Sequence, residues 1–207
     1  MTLDEAVSHC PVVAILRGVR PDEVLDHIEA LYAAGVRVAE VPLNSPEPLE
    51  SLRRICKAWG ERLVAGAGTV LSSDQVTGVA EAGGRIVVAP NTCPAVIRRA
   101  IALRLEPAPG FGTATEAFEA YEAGARRLKL FPAVTYGPAH LKQLKAVLPA
   151  DAQVWAVGGV GPETMADWWA AGARGFGLGG EIYRAGQSVA ETAQKAARVV
   201  GAARGLA

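Results

Sequence analysis

Apolar residues along the chain fall into two alternating rhythms. Short continuous runs, V-V-A-I-L-R-G (12–18), V-A-E-V-P-L (38–43), L-V-A-G-A-G-T (63–69) and V-W-A-V-G-G (154–159), read as buried strands. I-V-V-A-P (86–90), R-L-K-L-F-P (127–132) and G-F-G-L-G-G (175–180) belong with them, and L-R-L-E-P-A-P-G (103–110) is the weakest of the eight. Between the strands lie amphipathic stretches with helical spacing, at 21–34, 47–59, 73–82, 94–102, 113–123, 138–147, 162–171 and 188–203. Several carry start signals: Pro21-Asp22-Glu23, Ser72-Ser73-Asp74, Thr113 to Glu116, and Gly161-Pro162-Glu163.

One punctuation mark recurs. A-G-V-R (34–37), A-G-G-R (82–85), A-G-A-R (123–126) and A-G-A-R (171–174) each close a helical stretch and precede a strand. The glycine sits where a helix ends in a left-handed residue. The spacings of 48, 41 and 48 residues are about twice one βα unit, so four marks imply eight units. The pattern predicts one domain, residues 1–207, folded as an α/β (β/α)8 TIM barrel. A doubly wound open sheet is the alternative, but no G-x-G-x-x-G follows the first strand.

Composition narrows the function classes. The 207 residues are 50% hydrophobic and 20% charged, enough for a sizeable core. Lys plus Arg and Asp plus Glu balance at 21 each, which argues against nucleic acid or an anionic membrane as partner. Cys10, Cys56 and Cys93 form no C-x-x-C and no disulfide framework, as suits a reducing cytoplasm. The N-terminal stretch lacks the basic and apolar regions of a signal peptide, and no run of about 18 apolar residues is present to span a membrane.

Active sites of such barrels lie at the C-terminal ends of the strands. The polar residues expected there include Arg17, Glu40, Asn44, Thr69, Asn91 and Lys129, with glycines at 158–159 and 179–180. His9, His27 and His140 fall in helical or terminal stretches, and Glu40 is the one carboxylate clearly available, so no metal is expected. Of five lysines, Lys129 alone lies in a strand. It is either half of a buried ion pair with Glu40 or an amine made nucleophilic by burial. Glu40 is correspondingly a salt-bridge partner or a proton-transfer group. Arg127 shares the strand parity of Lys129 and should point inward one layer lower. The glycine turns after the seventh and eighth strands suit a phosphate cradle. Arg17 suits a carboxylate, and Thr69 either donates to the same group or caps the next helix.

The segments A-I-L-R-G, E-V-P-L-N-S-P, G-A-G-T-V, A-P-N, A-T-E-A-F, L-K-L-F-P, L-K-A-V-L-P, A-V-G-G-V and Y-R-A-G-Q-S, in this order through nearly the whole chain, resemble the KDPG/KHG aldolase family. The resemblance implies a (β/α)8 barrel, usually a homotrimer, and a class I aldolase that needs neither metal nor cofactor. Its substrate would be a phosphorylated keto-deoxy sugar acid, cleaved to pyruvate and D-glyceraldehyde 3-phosphate. It implies Lys129 as the Schiff-base lysine, Glu40 as the proton-transfer group, and Arg17 and Thr69 as binders of the pyruvate carboxylate. Val157, Gly158 and Gly159 would line the substrate, and Gly179 and Gly180 would form the phosphate turn. The gluconate-type branch has an arginine after the second strand and a threonine ahead of the Gly-Gly. Asn44 and Val157 stand there instead, as in the galactonate type. Gly180 departs from the family's usual serine, so one phosphate hydrogen bond is expected to be lost, about 1 kcal/mol.

Overall fold

The computed structural model describes residues 1–206. Its strands are β1 (Val12–Ile15), β2 (Val38–Pro42), β3 (Val64–Gly68), β4 (Ile86–Val88), β5 (Glu106–Ala108), β6 (Gly110–Phe111), β7 (Arg127–Leu130), β8 (Gln153–Val157) and β9 (Ala173–Leu178). They form one parallel sheet in the order β5-β4-β3-β2-β1-β9-β8-β7-β6. The two strands at its ends are successive in the chain and separated by Pro109 alone. β5 pairs with β4, and β6 pairs with β7. A nearly closed parallel barrel results.

The expectation of eight strands is corrected at this seam. The weak fifth stretch, 103–110, is divided into β5 and β6, so nine strands are formed among the described residues. Pro107 and Pro109 have no N–H for a ladder, which is why that stretch was weak and why it breaks there. The Pro109 carbonyl still accepts from the Lys129 N–H at 2.8 Å and carries the barrel across the break.

The helices are α1 (Leu3–His9), α2 (Val24–Ala34), α3 (Pro48–Trp59), α4 (Ser73–Glu81), α5 (Pro94–Ala102), α6 (Ala114–Glu122), α7 (Ala133–Lys145), α8 (Met165–Ala170) and α9 (Val189–Arg204). Eight overlap the predicted stretches. α7 starts earlier than expected but breaks at Gly137 (φ 77°), just before the predicted start at 138. The glycine of every A-G-x-R mark has positive φ: 117° at Gly35, 85° at Gly83, 109° at Gly124 and 108° at Gly172. α1 was not anticipated, although its signal is in the sequence. Thr2 and Glu5 form a reciprocal cap: the Glu5 N–H donates to Thr2 Oγ1 at 3.2 Å and the Thr2 N–H to Glu5 Oε2 at 2.7 Å.

Strand alternation sorts the core into two layers. Val12, Ala14 and Leu16 of the β1 segment face the helices within the large outer core. Val13 and Ile15 join Val38, Val64, Ile86, Trp155 and Val157 in a smaller cluster inside the barrel. Leu3 and Ala6 of α1 belong to that inner cluster and cover one end of it. Each Val, Leu or Ile so buried contributes about 1.5–3 kcal/mol of transfer free energy. No helix among the described residues is long and apolar enough to cross a membrane.

Candidate active site

β7 carries two inward-facing bases. Leu128 and Leu130 point outward into the helix-facing core, so Arg127 and Lys129 point into the barrel. Arg127, on the earlier residue, meets Glu106 of β5 at 2.8 Å and also Asp4 of α1. That answers the question its parity raised: it is a structural ion pair. Lys129 is 6% exposed. Its ammonium lies 4.7 Å from the Phe131 ring centroid and has no hydrogen-bond or ion-pair partner among the described residues.

Glu40 is 2% exposed and points inward from β2. Space for its carboxylate comes from β3: a Cβ on Gly68 would overlap Glu40 Oε2. That oxygen is buried and has no hydrogen-bond partner among the described residues. Glu40 and Lys129 therefore do not form the direct ion pair that the sequence left open. Burial pushes the Glu40 carboxyl above the usual carboxylate range, against the pull of the Lys129 and Arg17 charges. Burial also draws the Lys129 amine below its ordinary value, with Glu40 opposing and the Arg17 charge adding to the fall. Both shifts favour the uncharged forms, since neither group has a partner to repay its desolvation.

Arg17 follows β1, and its Nη1 donates to Asn44 Oδ1 at 2.5 Å. The next residue repeats the link: the Gly18 N–H donates to Ser45 Oγ at 2.9 Å. Two adjacent residues after β2 thus hold two adjacent residues after β1. Thr69 follows β3 with φ 57°, a left-handed conformation that is strained for a β-branched residue.

Arg17, Lys129, Val157 and the four glycines at 158–159 and 179–180 line one strand-end cavity of about 920 Å³. Ile15 and Phe131 form its apolar floor beside the lysine. Glu40 and Thr69 are not on its wall; Glu40 is within electrostatic reach of Lys129. Gly158 (φ 92°) and Gly159 (φ 78°) make the first turn, and a Cβ on Gly159 would collide with Val134. The N–H groups of Gly159 and Gly180 have no acceptor among the described residues and stay available as donors.

The histidines stand apart, as expected: His27 Nδ1 is 2.9 Å from Thr192 Oγ1, and His140 Nε2 is 2.8 Å from the Gly112 carbonyl. Residue-by-residue reading missed Gly68 and the Asn44 contact to Arg17. Glycine at two alternate positions of β3, Gly66 and Gly68, was a visible signal that something large crosses that face, but not what. A second cavity, about 500 Å³, lies against α1 and α9 beside Asp4, Cys10, Arg174 and Arg204, and no strand-end residue named above enters it.

A family model for KDPG and KHG aldolases matches residues 3–199. The chain belongs to the KDPG and KHG aldolase family. It is similar to the 2-dehydro-3-deoxy-6-phosphogalactonate aldolase of Escherichia coli (strain K12), 52% identical over 194 residues that cover 94% of this chain and 95% of the relative. The probable 2-dehydro-3-deoxy-6-phosphogalactonate aldolase of Rhizobium meliloti (strain 1021) is 44% identical, covering 90% of this chain and 88% of that one. Among solved structures, native KDPGal superposes with a TM-score of 0.93 at 51% identity, covering 95% of both chains. Membership in the KDPG and KHG aldolases makes the chain a carbon–carbon lyase.

Proposed function

We propose that the chain is a class I aldolase that cleaves 2-dehydro-3-deoxy-6-phosphogalactonate to pyruvate and D-glyceraldehyde 3-phosphate. The observation that carries this reading is Lys129: a buried strand lysine, unpaired among the described residues, lining the strand-end cavity with Glu40 in electrostatic reach. An amine whose pKa burial draws below the ordinary lysine value gives up its proton more readily, and the free amine is a nucleophile toward a ketone. The likeness to two galactonate-type relatives favours this epimer over the gluconate one, as do Asn44 and Val157.

The substrate's carboxylate binds Arg17, with Thr69 assigned to the same group by family resemblance alone, which sets its C2 carbonyl over Lys129. The lysine nitrogen bonds to C2, the oxygen leaves as water, and the resulting iminium draws electrons from C3. Glu40 accepts the C4 hydroxyl proton as the C3–C4 bond breaks, its raised pKa suiting it to take and return a proton. The aldehyde departs from the glycine turns, its phosphate having been held by main-chain N–H groups. The enamine takes a proton at C3, water adds to the imine, and pyruvate leaves Lys129 as the free amine. Val157, beside Gly158 and Gly159, packs against the substrate chain.

Borohydride reduction in the presence of pyruvate tests the chemistry. One reduced pyruvate adduct is expected, mapped to Lys129; an adduct on another lysine, or none, rejects the assignment. Turnover of the two purified C4 epimers, read as pyruvate released, tests the substrate: the galactonate epimer is expected to be faster, and faster turnover of the gluconate epimer overturns the choice. The reading extends to a cytoplasmic homotrimer, supported by family resemblance and by the exposed apolar side chains of Leu71, Phe118, Val134 and Val147. Sedimentation of the purified chain at three times its 21.5 kDa mass is the expected result.

A further inference from the structure

The end of the cavity formed by the glycine turns holds a cation that the mechanism does not use. Arg184 lines it just beyond the turn at 179–182, and its guanidinium lies beside Gly180: a Cβ on that glycine would stand 3.3 Å from Nε and 3.6 Å from Nη2. The side chain has no hydrogen bond and no ion pair among the described residues. Its backbone, by contrast, is pinned. The Arg184 N–H donates to Gln187 Oε1 at 3.0 Å, while Gln187 Nε2 donates to the Ile182 carbonyl at 2.9 Å and to Thr192 Oγ1 at 2.7 Å.

The other charges at this end are satisfied. Arg198 meets Glu181 at 2.8 Å and lies 3.9 Å from Glu163, the two carboxylates on the cavity wall. Lys195 donates to Gln187 Oε1 at 2.7 Å. Arg184 is left over, beside Gly180, whose N–H has no acceptor among the described residues. The cavity wall thus carries two guanidiniums without an ion pair among the described residues, Arg17, which is held by Asn44, and Arg184, with Lys129 also on it. A substrate with a carboxylate at C1 and a phosphate at C6 has the matching charges.

We propose that Arg184 holds the terminal phosphate of the substrate and sets the preference for phosphorylated over unphosphorylated keto-deoxy acids. This deepens the aldolase reading and rests on it. A guanidinium presents a planar fork of donors that fits a phosphoryl group in two-pronged fashion, and charge-assisted bonds of this kind are about twice as strong as neutral ones. Gly180, with no side chain, leaves the guanidinium room to lie over the turn. The hydroxyl expected at position 180 from family resemblance is thereby compensated by a charged donor, and phosphate binding need not be weak.

The test compares the wild type with Arg184→Gln and Arg184→Lys. Expected for Arg184→Gln is a KM for the phosphorylated substrate raised about 10- to 100-fold. Turnover of the unphosphorylated keto-deoxy acid should be unchanged, and Arg184→Lys should recover part of the loss. Calorimetric titration with glycerol 3-phosphate, which forms no imine, should show affinity weakened about tenfold or more in Arg184→Gln. Unchanged affinity for glycerol 3-phosphate, or equal loss on both keto-deoxy acids, overturns the proposal. Exchange of pyruvate methyl protons with solvent deuterium, which involves no phosphate, should match wild type in both variants. Its absence from the wild type would sink the aldolase reading separately, with the titration still deciding the role of Arg184.

Discussion

Arg127 and Lys129 are two residues apart on one strand, face the same barrel interior and are buried to nearly the same degree. Their surroundings are opposite. Arg127 lies toward the end covered by α1 and is met by Asp4 and Glu106, carboxylates that remain partly in water. Lys129 lies at the strand ends, with an aromatic ring, a cavity and a carboxylate held out of contact. An interior charge is tolerated when partnered, and when unpartnered its pKa moves instead. The arginine pair serves the fold, whereas the lysine keeps its desolvation cost and its pKa falls, as the proposed nucleophile requires.

Substituting the two bases separates these roles most widely. Lys129→Met should lower turnover by at least about three orders of magnitude, because no other amine on the cavity wall can form the imine. Urea unfolding should show stability equal to wild type or higher, since an unpaired buried polar group has been replaced by an apolar one. A variant that keeps even a tenth of the activity would break the comparison.

Gly68→Ala comes next. The added Cβ would occupy the place of the Glu40 carboxylate, and a displaced proton-transfer group costs up to about a hundredfold in kcat. Borohydride trapping of pyruvate on Lys129 should persist, which distinguishes this loss from loss of the nucleophile.

The pH profile sharpens the lysine half. With its pKa lowered, Lys129 gains its free amine as pH rises through a value below that of an ordinary lysine, so the rate of pyruvate trapping should climb through that value. Glu40's charge raises the lysine pKa, so Glu40→Gln should move the rising limb to lower pH; movement to higher pH contradicts the assignment. Asn44→Ala should have a smaller effect. Freed from Asn44, Arg17 is held less firmly, and KM should rise about five- to tenfold with little change in kcat.

Arg127→Met is expected to affect turnover least, within about twofold per folded molecule, yet to cost stability. Breaking a fully buried pair costs about 3–5 kcal/mol. Here Asp4 and Glu106 can return to water, so about 1–2 kcal/mol is expected from the urea midpoint. Loss of activity without loss of stability would show that the pair reaches the chemistry after all.

Much of this was legible in the chain. The A-G-x-R marks reported helix ends because only glycine enters the left-handed region without strain, and all four glycines are there. Strand parity put Lys129, Arg127 and Glu40 inside because alternation along a strand is a local property. Less legible was the seam at Pro109. The sequence shows that β5 is poor, but not that its two pieces pair with different neighbours, which depends on strands about 20 residues away on either side. The sequence also left Glu40 as either partner or proton carrier.

Local sequence determined the alternation of strands and helices, the turns, and which side chains face inward, because these follow from backbone preference and the two periodicities of burial. Only the tertiary structure decided which inward charges meet. That outcome depends on distances between strands brought together by closing the sheet: Gly68 gives the Glu40 carboxylate its place, Asp4 and Glu106 reach Arg127, and Lys129 is left without a partner. Ionisation energies in a poorly hydrated interior depend on a few ångströms of separation, and no pattern along one chain encodes them.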